Sequence, residues 1–124
     1  MPSRRIAVRF TVPGFHQWPD APAERFYLSS THRHLWHAEV TITVEHNDRE
    51  VEFHDLLDHA RTALEPNADN GWRSTEDLAT FIAAVVRQRW PARHVMVSLY
   101  EDGECGAILA WGPDEPVELE VRER

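Results

Sequence analysis

His32 and His34 stand two residues apart at the head of a run in which every second residue is apolar: Trp36, Ala38, Val40, Ile42 and Val44. Alternate residues of a β-strand share a face, so both imidazoles are expected on the face that carries the core. A neutral imidazole turned into a desolvated sheet end needs a partner. The commonest partner for two of them on one face is a transition metal such as zinc. A catalytic zinc takes about three protein ligands and leaves a position open for substrate or water. His16 is the best candidate for the third ligand, because a long loop ahead of the strand can fold back over its end. The competing reading leaves His32 and His34 solvated on a turn before the strand begins. Glu101 repeats the pattern at the end of a second apolar row, Val95, Val97 and Leu99, where a carboxylate wants a donor. Its competing assignment is the solvated turn Glu101-Asp102-Gly103-Glu104.

Four strands and two helices are expected to position these groups. Ile6, Val8, Phe10 and Val12 alternate with Ala7, Arg9 and Thr11 and predict a first strand over 6–12. Residues 13–31, with three prolines and Gly14, read as a long functional or mobile loop. The histidine strand follows and runs to about Glu45. Phe53, Leu56, Leu57, Ala60 and Leu64 recur at helical spacing and stop before Pro66. Ser74, with Asp77 three places on, is a plausible N-cap for a second helix carrying Leu78, Phe81, Ile82, Val85 and Val86, which ends near Trp90-Pro91. Val95 to Glu101 and Cys105 to Trp111 form a hairpin around the turn signal Asp102-Gly103. Val117, Leu119 and Val121 could add a last strand. The order strand, strand, helix, helix, strand, strand predicts an α+β fold: a four-stranded antiparallel sheet with two helices on one face.

At 124 residues the chain is expected to be one domain, long enough for a two-layer core. No apolar stretch approaches the length of a membrane span or a signal segment, so a cytoplasmic protein without membrane contact is expected. Cys105 is the only cysteine, which excludes an intrachain disulfide. A formal charge of -8 disfavours nucleic acid and acidic lipid and leaves small molecules and proteins as partners.

In this element order the chain resembles the 6-pyruvoyl-tetrahydropterin synthase and 6-carboxy-tetrahydropterin synthase family of the tunnelling fold. His32-Arg33-His34-Leu35-Trp36 stands where the family has His-Gly-His-Asn-Tyr at the start of its second strand. Val51-Glu52-Phe53-His54-Asp55-Leu56 matches a Val-Asp-Phe-Gly-Asp-Leu segment, and Ser74-Thr75-Glu76-Asp77-Leu78-Ala79 matches Pro-Thr-x-Glu-Asn-Leu-Ala. Glu101 stands at the strand end where the family's glutamate grips the pterin ring. Each motif alone is weak, whereas four in order across nearly the whole chain are a stronger signal. The resemblance implies a tunnelling fold and zinc held by His16, His32 and His34. It also implies a substrate such as dihydroneopterin triphosphate, and homo-oligomers joined through edge strands. Independently, uncovered edges of a four-stranded sheet favour association. Pro13-Gly14-Phe15-His16 departs from the family's Phe-x-Ala-Ala-His pattern.

A pterin or guanine-like ring presents adjacent N–H and NH2 groups that one carboxylate accepts together, the role expected of Glu101. Glu76 adjoins it in the motif and is grouped with it as substrate-binding, although stabilisation of a helix's first turn also accounts for it. Where the family has a proton-transferring cysteine, four residues before the first motif histidine, this chain has Leu28. Asp58-His59 is the one Asp-His pair available to relay protons, but it is out of register with the family's. Two readings follow: a zinc-dependent lyase-type enzyme acting on a reduced pterin, or a protein that binds metal and a pterin- or purine-like ligand without converting it.

Overall fold

The computed structural model describes residues 3–69 and 73–120, and within them every side chain except that of His16. Strands β1 (Arg4–His16), β2 (His32–Val44), β3 (Val95–Glu101) and β4 (Cys105–Trp111) form one antiparallel sheet in the order β1-β2-β3-β4. Helices α1 (Phe53–Leu64) and α2 (Thr75–Arg89) separate β2 from β3, and short 3-10 segments occupy Ala23–Ser29 and Glu65–Asn67. The α+β class and the element order expected from periodicity are those observed. No helix of the described residues is long and apolar enough to cross a membrane.

Alternation in the strands and the 3.6-residue stripe of the helices meet in one buried cluster. Trp36, Val40 and Ile42 of β2 pack with Leu56 of α1 and Leu78 and Ile82 of α2, all essentially without solvent contact. The helices therefore cover the even-numbered face of β1 and β2, and Arg5, Arg9 and Thr11 remain exposed on the other. Both helices start on capping side chains. Glu52 accepts from His54 N at 3.3 Å, and Ser74 accepts from Asp77 N at 3.1 Å. Glu76 and Asp77 at the first turn of α2, and Arg87 and Arg89 at its last, complement the helix dipole. Pro91 then prevents its continuation.

Three expectations are corrected. The strand expected over 6–12 extends from Arg4 to His16, so residues 13–16, read as loop, are paired with β2 throughout. As an edge strand β1 tolerates Pro13. Phe53, assigned to the buried stripe, is 53% exposed because it opens α1 beyond the edge of the core. Residues 117–120 form no strand, although Val117 packs against the core, and Val121 lies outside the described residues. Cys105 is exposed.

Gly14, paired with His34, lies against the backbone that follows α1. A Cβ added there would fall 2.3 Å from the Ala68 carbonyl oxygen. The neighbouring Phe15 N–H donates to Asp69 Oδ1 at 2.9 Å, pinning the same end of β1. Gly14→Ala is expected to cost about 1–3 kcal/mol of unfolding free energy by overpacking, read from chemical denaturation.

At the opposite end of the sheet Glu50 accepts the Glu45 N–H at 2.8 Å and pairs with Arg93, whose guanidinium also donates to Thr43 O at 2.8 Å. The Glu45 amide first, and Arg93 next, hold the Glu50 carboxyl below its ordinary range; Glu52 is lowered chiefly by the His54 amide that it caps. Groups that bind protons less tightly folded than unfolded confer stability above the unfolded carboxylate range, and that stability is lost as pH falls through their lowered folded values. The melting temperature is expected to fall on acidification below that range. Glu50→Gln should flatten the acid limb.

Candidate functional site

The site is assembled where β1 ends, β2 begins, β3 ends and α2 starts. Register brings these four ends together. His16 is the cross-strand partner of His32, Gly14 that of His34, and Trp36 that of Glu101. The face reading of the histidines holds: His34 and Glu101 retain 13% and 24% side-chain exposure, against an essentially inaccessible Trp36 beneath. The rings of His32 and His34 meet edge to face at 4.5 Å between centroids, and His34 lies 5.8 Å from the Trp36 ring. The solvated-turn alternative for the pair is thereby overturned.

Each imidazole has its Nδ1 committed to an acceptor. His32 Nδ1 lies 2.7 Å from the Ser30 carbonyl oxygen, and His34 Nδ1 lies 2.8 Å from Asp102 Oδ2. Neither a carbonyl nor a carboxylate can donate, so both Nδ1 atoms carry a proton. This is the arrangement by which metal-binding histidines are commonly oriented. On its other side His34 Nε2 is 3.3 Å from Glu101 Oε2, while Glu101 Oε1 accepts from the Thr75 hydroxyl at 3.1 Å. Glu101 is therefore drawn inward rather than released into the hairpin turn.

His32, Glu101, Thr75 and Glu76 line a cavity of about 360 Å³ whose apolar walls include Trp18 and Leu28. The segment carrying Leu28 is held there by a 2.6 Å hydrogen bond from Trp18 N to Leu28 O. A larger depression of about 620 Å³ lies on the side of Arg9, His37 and Tyr100. Its lining includes neither His32 nor Glu101, both of which line the smaller cavity.

The structure thus brings His32, His34, Glu76 and Glu101 together, with the backbone of residue 16 directly across from His32. The side chain of His16 lies outside the described residues. Among the described residues no three His, Cys, Asp or Glu side chains are grouped to hold a metal ion. Asp58 and His59 are not brought to the cavity. Asp58 is exposed, and His59 bonds through Nδ1 to Asp55 O at 2.8 Å and packs on Trp90 at 5.1 Å. Trp90 closes the end of α2 opposite Thr75, about 22 Å along a 15-residue helix.

Two contributors were not singled out from sequence. Thr75 reads only as part of a helix start, yet its hydroxyl holds Glu101. Asp102 reads as half of a turn signal; its φ of 55° and that of Gly103 at 72° do make that turn. But the Asp102 carboxylate also turns back to accept Leu35 N–H through Oδ1 at 2.7 Å, and Asp102 N donates to Leu35 O at 2.8 Å. The Leu35 amide and then the His34 ring hold the Asp102 carboxyl below its ordinary range. An aspartate in a hairpin turn gives no sequence sign of where its carboxylate will point. A scan against models of known protein families finds no match, and no curated protein matches the chain.

Proposed function

We propose that this end of the sheet is a divalent-metal site, zinc by donor chemistry, joined to a pocket for a reduced pterin, and that the protein is a zinc-dependent lyase-type enzyme of the tunnelling fold. The observation that carries the reading is a pair of imidazoles in edge-to-face contact at 4.5 Å, each with its Nδ1 committed to an acceptor, beside the cavity-lining Glu101 carboxylate. His16, across from His32, supplies the third ligand. Bound zinc would polarise oxygens of the ligand's side chain and acidify nearby hydroxyls. Glu101, steadied by Thr75, accepts from the ring N–H and exocyclic NH2 of the heterocycle, with Glu76 at the same wall. Trp18 and Leu28 exclude water from the ring's apolar faces.

A second reading, binding without conversion, is favoured by one observation: Leu28 lies in the cavity wall beside His32, at the position where the family it resembles carries a proton-transferring cysteine, and a leucine moves no proton. Assembly of several copies through edge strands completes the proposal, since among the described residues β1 and β4 are the edges of the sheet, with no strand paired beyond them.

The test is metal analysis of the purified protein followed by incubation of the zinc-loaded form with dihydroneopterin triphosphate. Retained zinc and loss of the pterin side chain establish the lyase. Retained zinc with saturable pterin binding and no product establishes the binding protein. Failure to bind zinc in either state overturns the metal site. Glu101→Gln is expected to weaken pterin binding by about 10-fold or more while leaving zinc bound, because the amide presents a donor to a donor edge.

A further inference from the structure

The sheet has a second concave region, on the face turned away from the helices, and its chemistry differs from that of the histidine end. Antiparallel register lays two rows of side chains across three strands there: Thr11, His37 and Tyr100 in one, Arg9, Glu39 and Ser98 in the next. All six line the depression of about 620 Å³. Arg61 of α1 joins them at the β1 edge, its guanidinium carbon 5.7 Å from the centre of the Phe10 ring. Nearly every polar group of this lining can donate. The hydroxyls of Thr11, Ser98 and Tyr100 make no hydrogen bond within the described residues, and guanidinium groups only donate. The one carboxylate, Glu39, is engaged by Arg9 Nε at 2.5 Å, which leaves the terminal nitrogens of Arg9 for another acceptor. Two arginines against one glutamate give the lining a positive balance, in a chain whose formal charge is -8.

We infer that this depression binds a small organic phosphate. Arg9 and Arg61 hold the phosphate group, the hydroxyls of Thr11 and Ser98 add neutral donors, and the body of the ligand lies beside His37 and Tyr100. A phosphate group fits such a wall better than a carboxylate does, because its three terminal oxygens accept from guanidinium and hydroxyl donors together. The volume is that of a small-molecule site and far exceeds a bare ion, which is why the phosphate carries an organic body. The depression shares no lining residue with the cavity of His32 and Glu101, so the inference goes beyond the metal and pterin reading and does not depend on it.

Phenyl phosphate is the probe, titrated by calorimetry into the protein with a chelator present so that no metal carries the phosphate. Saturable binding of one molecule per chain is expected, with inorganic phosphate and phenol each about 10-fold weaker or more, since each offers only part of the contacts. Arg9→Gln and Arg61→Gln should each weaken phenyl phosphate by about 10-fold or more. Their side chains are 82% and 41% exposed, so the melting temperature should not change. Arg5→Gln is the control: it removes the same charge from the same sheet face but lies outside the lining, and affinity should hold. Amide shifts in NMR are expected at Thr11, His37 and Ser98. Absence of saturable binding in the millimolar range, an equal loss in R5Q and R9Q, or shifts confined to Ser74, Thr75 and Glu76 would overturn the site. Inorganic phosphate binding as tightly as phenyl phosphate would overturn the organic ligand.

Discussion

Replacing His34 by alanine is expected to abolish stoichiometric zinc retention. The loss of affinity should exceed the about 10–100-fold that follows removal of an orienting partner alone. The expectation follows from how much converges on this ring. It touches His32 edge to face, rests against Trp36, and lies between two carboxylates, Asp102 at Nδ1 and Glu101 at Nε2. Removing it deletes one donor atom and leaves the two carboxylates without a cationic or protonated group between them. Asp102, 45% exposed, can turn to water, so the fold is expected to survive. His54→Ala is the control: that side chain is 75% exposed and bonds only near its own helix start, so zinc binding should not change. Competition with a chromophoric chelator measures both variants. Zinc affinity in H34A equal to that of wild type would remove the metal centre from this site.

Trp36→Ala is expected to give the largest loss of stability, about 3–5 kcal/mol by comparison with other large-to-small core changes. The side chain is fully inaccessible, sits at the centre strand pairing with Val12 and Glu101, and floors the histidine pair. Against a typical total of about 5–15 kcal/mol, that loss consumes a large part of the margin for a domain of this size. Urea denaturation of the metal-free protein reads it directly. A cost below about 1 kcal/mol would mean that the cavity collapses, which the rigid β1-β2-β3 register around it opposes. Since Trp36 underlies His34, the variant is also expected to weaken zinc binding, whereas H34A should leave most of the folding stability in place. That asymmetry separates support of the site from membership in it.

Much of the fold was legible because one-sided burial imposes period. The alternation in β2 and the Leu56, Ala60, Leu64 stripe of α1 follow from a sheet with one covered face. The Ser74 cap and the Asp102-Gly103 turn follow from local backbone chemistry. The extension of β1 through Pro13 to His16 was not legible, since proline and glycine there read as a loop. Only pairing with the long β2 strand, on an edge that needs no donor from Pro13, makes them strand. Phe53 failed for a related reason: helical spacing marks a face but not where the core ends along it.

For the site, sequence alone determined which residues end the apolar rows, and so that His32, His34 and Glu101 face inward, because parity along a strand is a local property. What lies against them was decided by tertiary structure. The antiparallel register set residue 16 across from His32, the turn delivered the Asp102 carboxylate to His34 Nδ1, and the start of α2 brought Thr75 to Glu101. The same packing carried Asp58 and His59 to the far end of α2. Contacts between segments separated by 16 to 68 residues arise from how the strands and helices dock, and no local pattern encodes them.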